Sequence, residues 1–265
     1  MYSRFQLIKK WLRYYLTASS GKGHGIHSPF VFDLVKNVLR DKKEYDHYSS
    51  FEAARRRLLK QTAEIDVEDF GAGSSVIKTN KRKISEIAKS SMKPARYAQL
   101  LYRIVKYYQP ENILELGTSF GITASYLAIG NPRARLFTIE GSPAIAKIAR
   151  NSFRELKLKN IELMEGDFNK LLPSLLGKLK SIDLAFVDGN HKKEPTLDYF
   201  RQLLSHSNKS TILIFDDIHW SREMEEAWAE IKLSHQVTLT IDLFFIGIVF
   251  VNPELKVKQD FVIRF

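Results

Sequence analysis

From Asn112 to Ser234 the chain alternates short apolar runs with amphipathic ones, and that alternation leaves few folds open. Asn112–Leu116, Arg135–Ile139, Ile161–Met164, Ile182–Val187 and Thr211–Phe215 read as strands. Between them, Ile122–Ile129, Ala144–Leu156, a short stretch near Leu171–Leu176, Glu194–Leu204 and Arg222–Ser234 read as helices. Strands that pair in parallel through helices do so by right-handed crossovers, which predicts an α/β fold with a doubly wound, mostly parallel sheet. Val237–Ile241, Phe244–Val251 and Phe261–Phe265 then follow as strands with no helix between them. The C-terminal part of the sheet should therefore contain antiparallel pairing.

Upstream, residues 1 to about 92 read as helices and loops. Ile26–Leu39 carries Phe30, Val31, Leu34, Val35 and Val38 at helical spacing, with Ser28-Pro29 as its start. Phe51–Leu59 is a second, basic helix, and Pro94–Tyr108 is an amphipathic one that stops before Pro110. Residues 1–92 are expected to form a helical cap over the carboxyl edge of the sheet, with Phe30, Val31 and Phe32 packing onto it. Residues 93–265 form the α/β domain in this reading.

The chain has no cysteine, which excludes disulfides, thiolate metal sites and cysteine nucleophiles. A reducing, cytoplasmic location fits that composition. The first residues, MYSRFQLIKKWLRYYL, are basic and amphipathic but lack the unbroken apolar centre of a signal peptide. The longest apolar run, Leu243–Val251, is about half the length needed to span a bilayer. The net charge is +11, much of it in the first half of the chain at Lys9, Lys10, Arg13, Arg55, Arg56, Arg57, Lys81, Arg82 and Lys83. That balance favours anionic partners, whether nucleic acid, lipid headgroups or acidic metabolites, and it equally describes a self-repelling surface.

Two glycine loops compete for a nucleotide: Asp69–Ser75, DFGAGSS, and Leu114–Gly121, LELGTSFG. A cofactor loop in an open α/β sheet follows a strand, precedes a helix, and is answered by an acid at the end of the next strand. The second loop meets all three conditions: strand Asn112–Leu116 leads in, helix Ile122–Ile129 follows, and LFTIE ends in Glu140. DFGAGSS runs into the basic stretch VIKTNKRKIS with no such acid, and reads as a glycine turn or as a lid over the site mouth. Residues 19–29, SSGKGHGIHSP, lack the phosphate-loop order. His24 and His27 find no third metal ligand there, so the stretch reads as a turn before a helix.

The spacing Gly117-x-x-x-Gly121 departs from the dinucleotide fingerprint and resembles the first motif of class I S-adenosylmethionine-dependent methyltransferases. The resemblance extends in order over about residues 93–251. It implies a Rossmann-like, seven-stranded sheet and S-adenosyl-L-methionine as cofactor. Glu115, Gly117, Thr118, Ser119 and Gly121 would surround the methionine part, Glu140 and Gly141 the ribose, and Asp167 of the EGD stretch the adenine amine, with Asp188 bordering the cofactor. Within the class, Asp183–His191, DLAFVDGNH, and Ile214–Trp220, IFDDIHW, resemble the small-molecule O-methyltransferases of the catechol and caffeoyl-CoA type and their bacterial relatives.

That resemblance implies a divalent metal, Mg2+ or else Ca2+ or Mn2+, on Asp188, Asp216 and Asp217. Carboxylates at the ends of two neighbouring parallel strands converge, and hard oxygen donors suit those ions. A metal there lowers the pKa of an acceptor hydroxyl. His191 stands where catechol-type enzymes place a lysine, and with Asp188 it is assigned the catalytic role, as general base. His219 and Trp220 are placed at the acceptor pocket. The Asn/Asp-Pro-Pro-aromatic stretch of nucleic-acid amino-methyltransferases is absent, which disfavours base methylation through that motif and leaves nucleic-acid O-methylation by another site open. The expected partner is a small hydroxylated molecule, anionic acceptors included, and a homodimer is compatible with the sequence. Two alternatives are a metal-independent methyltransferase and a non-catalytic protein held on anionic membrane or nucleic acid by its basic face.

Overall fold

The structure, a computed structural model, describes residues 1–19, 27–67 and 81–265. His24 and the DFGAGSS loop lie outside the described residues. The chain forms an α/β fold with a large, mostly parallel sheet of eight strands, one more than expected, and divides into two compact units. Residues 1–92 do not stay together: Met1–Asp41 joins Lys178–Phe265, while Lys42–Gly177 is contiguous.

The unit Met1–Asp41 with Lys178–Phe265 opens with α1 (Arg4–Thr17) and α2 (Pro29–Leu34), which continues as a π-helical turn over Val35–Leu39. Ser3 caps α1 by accepting from the Gln6 amide, while the Gln6 side chain accepts from the Ser3 amide. In Lys42–Gly177, α3 (Asp46–Lys60) is followed by a small antiparallel pair, β1 (Glu64–Asp66) and β2 (Lys81–Lys83), and by α4 (Ile84–Ser91) and α5 (Ala95–Tyr108). Then come β3 (Asn112–Leu116), α6 (Ile122–Gly130), β4 (Arg135–Glu140), α7 (Pro143–Glu155), β5 (Ile161–Glu165) and α8 (Phe168–Leu176). β4 pairs in parallel with both β3 and β5. Helix α3 covers α6: the Phe51 ring meets Tyr126 edge-on at 5.0 Å, and the buried Tyr126 hydroxyl donates to Glu52 at 3.0 Å. Burial drives this packing, since each aromatic ring brings a large apolar area out of water.

The first unit resumes with β6 (Ile182–Val187), α9 (Lys193–Ser205), β7 (Ser207–Asp216), α10 (Arg222–Leu233), β8 (Leu239–Asp242), β9 (Ile246–Phe250) and β10 (Gln259–Val262). Its strand order is β10-β8-β9-β7-β6. β6 and β7 are parallel, and β9 is antiparallel to both β7 and β8, as the helix-free ending implies. The last strand differs, because β10 pairs in parallel with β8. Both edges of β9 are taken, so the chain must pass to the outer edge of β8, where a strand running back from β9 lies parallel to its neighbour. Among the expected cap residues, Val31 is buried and Phe30 packs edge-on against Phe250 at 5.1 Å, but Phe250 pairs with Ile212, toward the amino ends of β6 and β7, and not at the carboxyl edge where the cap was expected. Phe32 is exposed, one helical step too far round to share their face.

Helix α1 docks within this unit through one face. The buried Tyr14 hydroxyl donates to the Ile263 carbonyl, and its ring lies 5.3 Å from Phe244. Ser19 bridges to Ile263 in parallel, just past β10. No helix among the described residues is long and apolar enough to cross a membrane.

Candidate active site

The glycine loop leaves β3 with Gly117 at φ +100°, Ser119 at +48° and Gly121 at +79°. Its amides at Gly117 and Thr118 donate to the Ile139 carbonyl at 3.0 and 3.2 Å, tying the loop to β4. Beneath it, Glu115 is fully buried and accepts from Thr138 at 2.6 Å, and the Thr138 and Thr118 hydroxyls are 2.6 Å apart. Gly121 is required twice over: its φ is left-handed, and a Cβ there would stand 2.4 Å from the Phe153 ring on α7.

At the end of β4, Glu140 accepts from the Ser119 amide at 2.9 Å and from the Ser142 amide at 3.0 Å. Burial raises its pKa, and the amides of Ser142, Ser119 and Gly141 pull the other way. At the end of β5, Asp167 follows Gly166 and caps α8, accepting from the Asn169 amide at 2.9 Å. Glu115, the Gly117–Gly121 loop, Glu140, Gly141 and Asp167 thus lie at or near the carboxyl ends of three neighbouring parallel strands, where an open α/β sheet takes its ligand. Sequence reasoning missed Ser91, at the end of α4, whose hydroxyl lies 2.7 Å from that of Ser119. A second serine in the stretch Lys89–Lys93, KSSMK, carries no signal of that contact.

A second group forms at β6 and β7. Val187 pairs with Phe215, so Asp188 and Asp216 stand at the next rung of the parallel ladder. Asn190 and His191 take φ values of +63° and +34°, and the His191 amide donates to the Gly189 carbonyl at 2.9 Å. This turn brings His191 Nε2 to 3.5 Å from Asp188 Oδ1. One ligand-capable atom from each of Asp188, His191 and Asp216 lies within 4.8 Å of the others. Asp217, expected to complete the metal site, is not in that group: its backbone turns at φ +53° and its amide donates to the Phe245 carbonyl at 2.7 Å. Positive φ at three non-glycine residues around one point is the kind of strain that clusters at functional sites.

His219, expected at the acceptor pocket, has both ring nitrogens engaged. Nδ1 is 2.9 Å from Glu225 and Nε2 is 2.8 Å from Asp242, with the ring stacked on Phe244 at 5.1 Å. Glu225 also accepts from the Tyr2 hydroxyl at 2.7 Å and pairs with Lys10 at 2.9 Å. Trp220 lies beside them, its carbonyl accepting from the Tyr2 amide at 3.0 Å. Burial alone lowers the His219 pKa, but Asp242 and Glu225 outweigh it and raise the value above its ordinary 6.5. A raised folded-state value means that this stabilisation is complete below pH 6.5 and is lost as pH rises through the folded-state pKa. His219→Gln should flatten that part of the melting temperature–pH curve. Parallel curves for parent and variant would show that His219 is not held as the cation.

Residues 114–218 match a sequence family described as a methyltransferase domain. A tRNA (guanine-N(7)-)-methyltransferase of Mycoplasmopsis synoviae is 31% identical over 125 residues, 43% of this chain and 61% of that protein. A catechol O-methyltransferase of Niastella koreensis is 29% identical over 126 residues, 46% of this chain and 55% of that protein. The chain thus spans a little over half the length of these two relatives. Among solved structures, the O-methyltransferase TomG of Streptomyces achromogenes, in complex with S-adenosylmethionine, superposes with a TM-score of 0.57 at 20% identity, over 84% of this chain and 96% of that one. At that identity the likeness concerns the fold.

Proposed function

We propose, from the premise that this chain carries an S-adenosylmethionine-dependent methyltransferase domain, that it methylates a hydroxyl of a small acceptor held at Asp188, His191 and Asp216. The meeting of those three side chains at the ends of β6 and β7 carries the proposal. When bound, S-adenosylmethionine supplies an electrophilic methyl group. The chain's part is to bind it and to make the acceptor oxygen nucleophilic.

For binding, Glu140 is the acidic group on β4 nearest the glycine loop, and a ribose diol would donate to it. Glu140→Ala should weaken S-adenosylmethionine binding by about 1–3 kcal/mol, because a charged acceptor and the anchor of the Ser119 amide are both lost. Isothermal titration measures this, and unchanged affinity would remove Glu140 from the cofactor site.

For activation, two carboxylates and an imidazole fit a divalent cation, which Asp188, Asp216 and His191 would hold. A bound cation supplies a lowered pKa to a hydroxyl coordinated to it. Exchanging one expected carboxylate for imidazole moves the preference from magnesium and calcium toward manganese or zinc. Manganese should therefore raise the melting temperature more than calcium does, and Asp216→Asn should shrink the rise. His191 Nε2 serves as ligand or as base, not both at once. Activity that survives a chelator and still depends on His191 would assign the base role and end the metal reading.

A tRNA acceptor is the second reading, favoured by the match to the tRNA methyltransferase and by the net charge of +11. Guanine N7 attacks through an existing lone pair and needs no deprotonation, so the Asp188 group would be idle. The deciding assay follows labelled methyl transfer to a panel of vicinal diols and to unmodified tRNA. Transfer to tRNA alone, insensitive to Asp188 and His191 substitutions, would replace the small-molecule reading.

A further inference from the structure

Helix α1 docks by Tyr14, Tyr2 and Lys10, and turns a different face to solvent. On that face Phe5, Ile8, Leu12, Tyr15 and Leu16 are all exposed, Phe5 at 77% and Leu16 at 78%. They recur every three or four residues, which on a helix makes one continuous apolar stripe roughly opposite Tyr14. Arg4 borders the stripe on one side, and Lys9 and Arg13 on the other, all exposed. Trp11 stacks on Tyr15 at 5.2 Å, and the Arg264 guanidinium lies 5.3 Å from the Tyr15 ring centre. The sequence of α1, RFQLIKKWLRYYLT, contains no acidic residue.

We infer that α1 is a membrane-surface anchor whose apolar stripe enters the interface of an anionic bilayer while Arg4, Lys9 and Arg13 meet the headgroups. The chemistry is that of an interfacial amphipathic helix: an apolar face with aromatics at its border and cations on its flanks. With 14 residues, α1 is too short to span a bilayer, so it lies on the surface. Charge complementarity selects the occupant. A second copy of this face would set Arg4, Lys9 and Arg13 near their own like, whereas an anionic leaflet neutralises all of them. Lys10 is spent on Glu225 inside the protein and so fixes the helix with its stripe outward. The inference does not depend on which acceptor is methylated, or on whether one is.

Flotation of the full chain with vesicles tests it, using phosphatidylcholine alone or mixed equally with phosphatidylglycerol. The protein should float with the anionic vesicles and not with the neutral ones, and brominated lipid should quench Trp11 fluorescence, a quench that Trp11→Phe removes. Replacing Arg4, Lys9 and Arg13 together by Gln should weaken binding about a hundred-fold, at roughly a factor of five per cation. Phe5→Ser with Leu12→Ser should weaken it by about ten-fold or more, with an unchanged melting curve since both side chains are exposed. Equal flotation with both vesicle types, or binding indifferent to the Phe5 and Leu12 changes, would overturn the inference. So would a dimer in sedimentation that dissociates with those same changes, because the stripe would then belong to a second copy.

Discussion

Asp216→Asn is expected to lower methyl transfer by about 10²–10⁴-fold while leaving the fold and the affinity for S-adenosylmethionine close to the parent's. Asp216 is 1% exposed and pairs with Ile246 at the end of β7, and asparagine has the same shape, so the strand and its neighbours need not move. The variant loses one negative charge beside Asp188 and His191. It keeps a single carbonyl oxygen, a weaker ligand and a weaker orienting group. Initial rates with one diol acceptor, set beside isothermal titration with the cofactor, separate the outcomes. A turnover number within about three-fold of the parent would take Asp216 out of the mechanism. A loss confined to cofactor affinity would move it into the cofactor site.

Gly121→Val should be the most damaging single change in the glycine loop. A β-branched residue at φ +79° costs about 1–3 kcal/mol in backbone strain. Its Cβ, 2.4 Å from the Phe153 ring and 3.3 Å from Ala149, forces α7 or the loop to shift, at about 1–3 kcal/mol more. Together these are a large share of an ordinary domain's stability of about 5–15 kcal/mol. The melting temperature should fall steeply, and added S-adenosylmethionine should no longer raise it. Gly121→Ala keeps the left-handed φ and the Cβ contact with Phe153 but lacks the branched side chain, so it should be destabilised to a smaller degree than Gly121→Val. A Gly121→Val protein that melts like the parent and still responds to cofactor would mean that the loop is not built as described.

Periodicity carried the α/β part of the fold, because strands buried on both faces and amphipathic helices leave different apolar spacings. The same rules could not divide residues 1–92, whose helices are distributed by tertiary contacts such as Tyr14 with Ile263 and Phe51 with Tyr126. Nor could they see that β10 would lie parallel to β8, since strand order is set by which edge is free. At the candidate site the two strand ends were legible, and Asp188 and Asp216 fall on one rung. The third partner was not. Adjacent residues at a strand end point in opposite directions, so Asp216 and Asp217 cannot both face one point unless the backbone bends to allow it. The bend at Asp217 leads to Phe245, while the bend at Asn190 and His191 returns an imidazole to the group. Asn, His and Asp enter the left-handed region more readily than other side chains, but a single sequence does not say which of them will. The partners of His219 were hidden for a related reason: Glu225 and Asp242 come from α10 and β8, which no local pattern connects to it.

Tyr14 and Ile263 are separated by 249 positions, and that separation has a consequence for synthesis on the ribosome. At about 5–20 residues per second, α1 emerges some tens of seconds before its dock exists. Lys42–Gly177 is contiguous and holds its own parallel strands and aromatic cluster, so it has all its parts while the remainder is still being translated. The other unit is assembled from both ends of the chain and closes only after β10 has been made. During that interval the nascent helix exposes Tyr14 as well as its outer stripe, and it is then most in need of a chaperone or a lipid surface.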